Sequence, residues 1–285
     1  MSNLNTSRAQ RLDQKVVELL PDLSRGFAAR LIEDGKVAVN GIIQTKAGHK
    51  LKENDEVIVD YDASELEQIP DIELPTIYED DDCVVINKPV GVLSHSKGAF
   101  NPEATVATWL RSRLNGLGGE RGGIVHRLDR ATSGVMICAK TPAALSWLQS
   151  QFASRNVKKT YAAVVTGRLD PEEAIIDMPI ERNPKAPATF RVGAQGKHAK
   201  TAYKTVASND HHSLLELKPE TGRTHQLRVH LSHFHHPIVG DTFYGGESAE
   251  RLFLHAESLE ITILKGHKRK VFTAPVPSEF KDKVT

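Results

Sequence analysis

The hydrophobic residues near the N-terminus predict two helices followed by a β-hairpin. Apolar residues at helical spacing precede Pro21, and a second apolar stripe follows Ser24, a residue suited to cap a helix. The dipeptide Asn40-Gly41 between apolar runs is a strong hairpin signal, and a further strand is predicted over 56–61. Residues 8–61 therefore predict a small helix-helix-hairpin module.

The rest of the chain predicts a second, larger domain. Residues 62–75 are acidic, contain Pro70 and Pro75 and show little periodicity, which is typical of a linker. From residue 76 onward strands and helices do not alternate strictly, so we expect an α+β fold with a mixed, largely antiparallel sheet over 76–285. Helices are predicted over 105–114 and 141–154. Strands are predicted within 77–87 and over 159–166, 189–192, 201–207, 214–218, 259–264 and 271–274.

The charge distribution changes this picture, because the net charge of +1 hides an asymmetry. Residues 1–62 carry 9 basic and 10 acidic side chains, and residues 63–82 carry 8 acidic and no basic ones. Residues 83–285 carry 28 basic and 18 acidic side chains. The larger domain is therefore basic, as a phosphate-backbone binder should be, although a charge excess can also serve solubility alone.

Two classes of protein are disfavoured by the composition. No apolar run approaches a membrane-spanning length, and the polar N-terminus lacks the apolar core of a signal peptide. Cys83 and Cys138 lie in apolar, strand-like runs, so we expect buried free thiols. These features predict a cytoplasmic protein with no membrane partner.

The densest chemistry lies in residues 122–134, with the sequence GGIVHRLDRATSG. Glycines bracket a carboxylate, Asp129, which is flanked by Arg127 and Arg130 and followed by an apolar run. A carboxylate beside cations on a loop before a buried strand is suited to act as nucleophile or base. The same spacing would also fit an ordinary charged turn.

A second candidate element covers residues 219–231, where a glycine-containing turn leads into a short helix. Arg223, Gln226 and Arg228 offer donors suited to a phosphate, a base edge or a carboxylate, or they form a solvated helix start. Tyr161 lies in an apolar strand, where a core tyrosine and a ring stacked on a base are both possible.

Several histidines suggest a metal site at first sight. His225, His230, His233, His235 and His236 are close in sequence, but no cysteine or acidic residue accompanies them at zinc spacing. We therefore expect no metal, and we expect these histidines on the helix surface and in turns. A metal-dependent hydrolase is the alternative that they leave open.

Five sequence elements together resemble one family. Residues 126–134 are similar to the signature His-Arg-Leu-Asp-x-x-Thr-Ser-Gly of the RluA/RluC/RluD-type pseudouridine synthases, which modify large-subunit ribosomal RNA. Further elements of that family are resembled, in family order, by residues 87–92, 159–161, 221–230 and 251–256. Residues 8–61 resemble the small RNA-binding module named after ribosomal protein S4.

The resemblance implies a role for each matching residue. Asp129 is implied as the catalytic aspartate, Arg228 as its partner and Tyr161 as the ring against the uracil. We expect the guanidinium of Arg228 to meet the carboxylate of Asp129 in a fork geometry. The implied substrate-binding residues are Arg127, which enters the RNA stack, and Leu254, an apolar wall, together with His126, Arg223, Gln226 and Lys88.

The resemblance also implies an isomerisation that needs neither cofactor nor metal. The implied partner is RNA, namely 23S-type ribosomal RNA or a pre-ribosomal particle, with transfer RNA as the alternative substrate. We expect a monomer. A non-catalytic RNA-binding protein is the alternative from another class, and the presence of Asp129, Tyr161 and Arg228 argues against it.

Overall fold

The computed structural model describes residues 10–21, 25–61, 70–96, 103–118 and 121–285. The chain forms two compact units: one contains the described residues up to Asp71, and the other contains Ile72–His95 and Thr105–Thr285. Among the described residues, no helix is both long and apolar enough to cross a membrane.

The first unit has the expected helix-helix-hairpin order. It comprises α1 (Leu12–Leu19), α2 (Arg25–Glu33), β1 (Val37–Val39), β2 (Ile42–Ile43) and β3 (Val57–Val59), with the antiparallel strand order β2-β1-β3. The hairpin prediction is confirmed, because Val39 pairs with Ile42 across Asn40 and Gly41, both of which have positive φ angles. The expected helix cap, Ser24, lies outside the described residues.

The apolar faces of the two helices pack on this small sheet. The buried side chains of the first unit are Leu12, Val16, Phe27, Ala28, Leu31, Ile32, Val37, Val39 and Leu51. In the first turn of α1, Asp13 is buried and accepts hydrogen bonds from the guanidinium groups of Arg11 and Arg25, each at 3.0 Å. The contact with Arg25 ties the start of α1 to the start of α2.

The second unit is an α+β domain, which confirms the predicted fold class. Its strands are β4 (Thr76–Glu79), β5 (Cys83–Lys88), β6 (Ser133–Ala139), β7 (Lys158–Thr166), β8 (Glu173–Asp177), β9 (Ile180–Arg182), β10 (Phe190–Val192), β11 (Lys200–Ser208), β12 (His212–Pro219), β13 (Leu254–Thr262) and β14 (Arg269–Thr273). Its α-helices are α3 (Val106–Leu110), α4 (Pro142–Ala153), α5 (Gln226–His233) and α6 (Ser278–Asp282).

One large, mixed sheet organises this unit. The strand order is β4-β5-β6-β13-β7-β12-β11-β8, with β14 paired to β13, and β9 pairs with β10 in a separate two-stranded sheet. Every pairing in the large sheet is antiparallel except that of β6 with β13. The pairing of β13 with β7 continues the sheet toward β12, so β13 connects its two halves.

Several local predictions are confirmed and others need correction. Thr141 caps α4 by accepting a hydrogen bond from the amide of Ala144 at 3.2 Å, and Pro142 begins the helix. Cys83 and Cys138 are buried free thiols. The helix predicted over 105–114 is shorter, because it tightens into a 3-10 turn at Arg111–Arg113. Strands β8 and β9 were not predicted, since no clear apolar alternation marks them.

Candidate active site

The loop that carries Asp129 is held in place by its backbone. The hydroxyl of Ser94 donates to the carbonyl of Leu128 at 2.8 Å and accepts from the amide of Leu128 at 3.0 Å. The amide of Thr132 donates to the carbonyl of Asp129 at 3.0 Å, which closes a turn directly before β6. Because these bonds flank Asp129 on both sides, its carboxylate projects from a fixed backbone.

Two glycines of residues 122–134 serve packing around this loop. Gly134 has a φ of 115°, and a Cβ there would lie 2.2 Å from the carbonyl oxygen of Ala256 on β13. Gly123 has a φ of 74°, and a Cβ there would lie 2.3 Å from the carbonyl oxygen of Ala139. Any larger residue would push β6 away from its neighbours, so both positions require glycine.

The carboxylate of Asp129 faces two nitrogen-bearing side chains. Its Oδ2 lies 3.3 Å from Nη1 of Arg228 and 3.6 Å from Nε2 of His225. The side chain of Asp129 is 21% exposed and that of Arg228 is 10% exposed. Most of this pair is therefore shielded from water. Charge interactions are stronger in such a partly buried environment than at the surface.

The expected fork between Arg228 and Asp129 is wrong in its geometry. Arg228 makes its fork with Asp241 instead, through Nε at 2.7 Å and Nη2 at 2.8 Å, and gives Asp129 only the remaining Nη1. The guanidinium also lies 5.0 Å from the ring centre of Tyr244. Asp241 fixes the orientation of Arg228, which leaves one N–H directed at Asp129.

His225 enters the site in a conformation that sequence patterns did not indicate. It precedes α5 with a left-handed backbone, φ 56° and ψ 21°, and its Nδ1 lies 2.7 Å from the hydroxyl of Tyr244. That hydroxyl accepts a hydrogen bond from the amide of Phe190 at 3.0 Å. Burial lowers the pKa of His225, so the neutral imidazole is favoured.

Tyr161 and Leu254 form the apolar side of the same pocket. Leu254 is buried at the start of β13 and pairs with Ala163 on β7, two residues from Tyr161. Burial, together with the nearby charge of Asp129, raises the pKa of Tyr161, so its hydroxyl is protonated at neutral pH. Within the described part of the chain this hydroxyl has no hydrogen-bond partner.

Eight of the nine residues expected at the site line one pocket of about 520 Å³. This volume lies within the range of ligand sites, roughly 300–1,000 Å³. The eight residues are His126, Arg127, Asp129, Tyr161, Arg223, Gln226, Arg228 and Leu254. Sequence elements about 100 residues apart are thus brought together around Asp129.

Not every residue in this pocket presents a free group to it. Nε2 of His126 accepts from the amide of Ile137 at 3.1 Å, and its ring stacks on Phe152 with centres 4.6 Å apart. Burial and the charge of Lys159 lower the pKa of His126 to about 3, so it is neutral. By contrast, Arg127 is exposed at the rim, and no ion pair engages it among the described residues.

Gln226 and Arg223 make internal contacts. Oε1 of Gln226 accepts from the hydroxyl of Thr221 and the amide of Arg223, and its Nε2 donates to Thr201 and to the carbonyl of Lys200. Arg223 lines the pocket and donates through Nε to the carbonyl of His198 at 2.9 Å. Gln226 therefore fixes the turn before α5.

Lys88 has a different position from the one expected of a substrate ligand. It is completely buried, and its ammonium group donates to the carbonyls of Pro89 and Val92 at 2.8 Å and of Arg130 at 3.4 Å. Burial lowers its pKa to about 8. Lys88 joins the loop that follows β5 to the loop that carries Asp129, and it does not line the pocket.

The histidines form no metal-binding group among the described residues. One expectation about them is corrected, because His230 is completely buried rather than on the helix surface. Its two nitrogens lie 3.0 Å from the hydroxyl of Thr201 and from the carbonyl of Met178. His233 and His235 are exposed, as expected.

Comparison with known proteins identifies both units. The family described as RNA pseudouridylate synthase matches residues 82–233, and the S4 domain matches residues 10–57. The ribosomal large subunit pseudouridine synthase D of Vibrio parahaemolyticus is 36% identical over 289 residues, which cover 95% of this chain and 88% of the relative. The protein of that name from Escherichia coli strain K12 is 39% identical over 240 residues, covering 83% and 73%.

A solved structure agrees with these matches. The human RNA pseudouridylate synthase domain containing 1 superposes with a TM-score of 0.60 at 32% identity, covering 71% of this chain and 83% of the human chain. The two matched regions follow each other along the chain as an S4 domain and a catalytic domain, which defines an RNA-modifying enzyme. The chain belongs to the RNA pseudouridylate synthase family and is accordingly an isomerase.

Proposed function

We propose that this enzyme converts uridine to pseudouridine in the ribosomal RNA of the large subunit, with Asp129 as its essential carboxylate. The substrate is supported by relatives named ribosomal large subunit pseudouridine synthase D, which match most of the chain at 36% to 39% identity. The role of Asp129 is supported by one observation above all. Its carboxylate lies inside the pocket, shielded from water and 3.3 Å from a guanidinium that is itself held by Asp241.

The reaction requires the uracil to detach from the ribose at N1, rotate within the pocket and re-attach through C5. The bond from the ribose carbon to N1 breaks, a bond to C5 forms, the proton on C5 is released, and N1 takes up a proton. Chemistry on a base inside a folded RNA requires the nucleotide to be flipped out of its stack into a pocket. Asp129 has three routes open to it: attack on the ribose carbon, attack on the uracil ring, or removal of the ribose 2′ proton.

The remaining walls hold the detached base. The ring of Tyr161 offers a stacking surface, and Leu254 excludes water on the adjacent side. Arg127 stands exposed at the rim, where its long side chain can fill the space that the flipped uridine leaves in the RNA. Arg228 and His225 keep the carboxylate of Asp129 oriented during the turn of the base.

Replacing Asp129 by Asn tests this proposal. RNA labelled with tritium at C5 of uridine releases tritium into water when pseudouridine forms, so release measures turnover directly. We expect Asp129→Asn to lower the rate by several orders of magnitude, because the amide keeps the shape and removes the charge. RNA binding should be retained. Asp210→Asn, at an exposed turn outside the pocket, is the matched control and should keep wild-type activity.

Three results would contradict the proposal in different ways. Turnover by pure Asp129→Asn protein would exclude the role of this carboxylate. Tritium release from transfer RNA transcripts but not from large-subunit transcripts would reassign the substrate. A wild-type protein that binds RNA without any release would indicate a binding protein. Mapping of pseudouridine in cells that lack the enzyme then identifies the modified positions.

A further inference from the structure

A second cavity adjoins the active-site pocket. It has a volume of about 400 Å³ and shares five lining residues with the first: Arg155, Val157, Lys159, Pro219 and Glu220. The two cavities therefore meet along the start of β7 and the end of β12. Nothing in the chemistry described above uses this second cavity.

Most of the charged side chains that line this second cavity already form ion pairs, but two of the basic ones do not. Its two carboxylates already have cations, since Glu220 lies 2.9 Å from Lys200 and Glu260 lies 2.6 Å from Arg269. Of its four basic residues, Lys158 lies 3.5 Å from Glu260, and Lys218 lies 2.6 Å from Glu216. Arg155 and Lys159 remain, and within the described ranges neither forms an ion pair.

Of these two cations, Lys159 is the nearer in sequence to Tyr161. It precedes Tyr161 by two residues on β7, and side chains at this spacing project from the same face of a strand, about 6.6 Å apart along it. Its ammonium group makes one long hydrogen bond, to the carbonyl of Thr221 at 3.4 Å. An ammonium group has three donors, so its hydrogen-bonding capacity is largely unused.

The surroundings of Lys159 leave room for a ligand. Its ammonium nitrogen lies 3.7 Å from the point that a Cβ on Gly222 would occupy, so the missing side chain keeps this approach open. Burial lowers the pKa of Lys159 to about 8, which reflects a cation with little water around it. A partly desolvated cation of this kind gains more from an anion than a surface lysine does.

We propose that Lys159 and Arg155 form a phosphate-binding subsite for the RNA backbone beside the flipped uridine. This inference rests on the proposed function, because a flipped uridine stacked on Tyr161 brings the phosphodiester groups of its own RNA strand close to the pocket. The subsite would hold the backbone while the uracil detaches, so that the ribose stays opposite Asp129. Guanidinium and ammonium groups are both suited to phosphate oxygens.

The test measures how salt affects RNA binding by the full-length protein. The dissociation constant for a large-subunit ribosomal RNA transcript is determined from low to high KCl for the wild type, Lys159→Gln and Arg155→Gln. We expect each variant to lower the slope of log affinity against log salt by about 0.7 to 0.9, the value for one lost phosphate contact. Affinity at low salt should fall about tenfold, the lower end for a charged hydrogen bond.

Two further variants separate this role from a structural one. Lys204→Gln removes one positive charge from an exposed lysine that lies 3.8 Å from Glu173 outside both cavities, and its slope should equal that of the wild type. Lys159→Arg keeps the charge and should restore most of the slope. Arg155 is exposed, so Arg155→Gln remains informative even if the variants at position 159 lose stability.

The outcomes distinguish this inference from the proposed function. Slopes for Lys159→Gln and Arg155→Gln that equal that of Lys204→Gln would overturn the subsite, whatever the wild type does to uridine. A wild type that releases no tritium from this transcript would overturn the proposed function. Reduced slopes for both variants, with restoration by Lys159→Arg, would establish the subsite.

Discussion

Asp241 offers the sharpest test of how the active site is held together. The substitution Asp241→Asn keeps the volume of the side chain and removes the charge that faces the fork of Arg228. Asp241 is 2% exposed, and its two contacts with Arg228 measure 2.7 Å and 2.8 Å. In the variant, one guanidinium of a buried cluster keeps a single carboxylate, Asp129, at 3.3 Å.

The expected loss of stability follows from this burial. Breaking a buried ion pair by removing one partner costs about 3–5 kcal/mol, mostly because the other charge stays buried and unpaired. For a unit of this size, each kcal/mol lowers the melting temperature by about 2–4 °C. We therefore expect the second unit to melt about 10 °C lower in Asp241→Asn. Pseudouridine formation should also fall, because Arg228 loses the contact that orients it toward Asp129.

Tryptophan fluorescence reports the unit of interest during thermal unfolding. Both tryptophans, Trp109 and Trp147, lie in the second unit, so the first unit does not contribute. Glu173→Gln is the matched control, because its partner Lys204 is exposed and an exposed pair contributes at most about 1 kcal/mol.

A double substitution completes the test. Arg228→Met in the Asp241→Asn background removes the stranded charge and should recover part of the stability. If Asp241→Asn melted within 2 °C of the control and released tritium at the wild-type rate, the argument would be refuted. A double variant that is less stable than the single one by the full cost of a second lost interaction would also refute it.

Two further outcomes are expected. Arg228→Lys should lower turnover at least about tenfold, since one ammonium group cannot satisfy both oxygens of Asp241 and still reach Asp129; wild-type kinetics would exclude this geometry. A chain beginning near Asp71 should fold and release tritium at saturating RNA, but bind more weakly and with a smaller salt slope. Equal affinity and slope would show that the S4 domain does not contact this RNA, and an unfolded product would place the boundary elsewhere.

The local parts of the fold were predictable from sequence because they depend on neighbouring residues. A two-residue Asn-Gly turn admits few backbone conformations, and Thr141 followed by proline marks a helix start by itself. The loop of Asp129 was predictable for a related reason, since the glycines and the apolar run that fix it lie within a few residues.

The partners of the site depend on tertiary contacts, and these were harder to predict. Asp241 and Tyr244 follow α5 by about ten residues in a stretch without helical or strand periodicity, so no pattern linked them to Arg228 or His225. Lys88 was expected at the substrate because residues 87–92 resemble an element of the family, and its burial was not anticipated because lysines are rarely buried. Its three carbonyl partners become neighbours only when two loops meet.

The central position of β13 has a consequence for how the enzyme comes into being. Residues up to 253 already include Asp129, Tyr161 and Arg228, yet the strand that joins β6 to β7 has still to be made. Until then the carboxylate belongs to one half-sheet, and the aromatic ring and the guanidinium belong to the other. A ribosome that is making this protein must therefore translate past residue 253 before the residues of the proposed site can come together. A nascent chain that stalls at residue 253 would carry Asp129, Tyr161 and Arg228 and should still be inert.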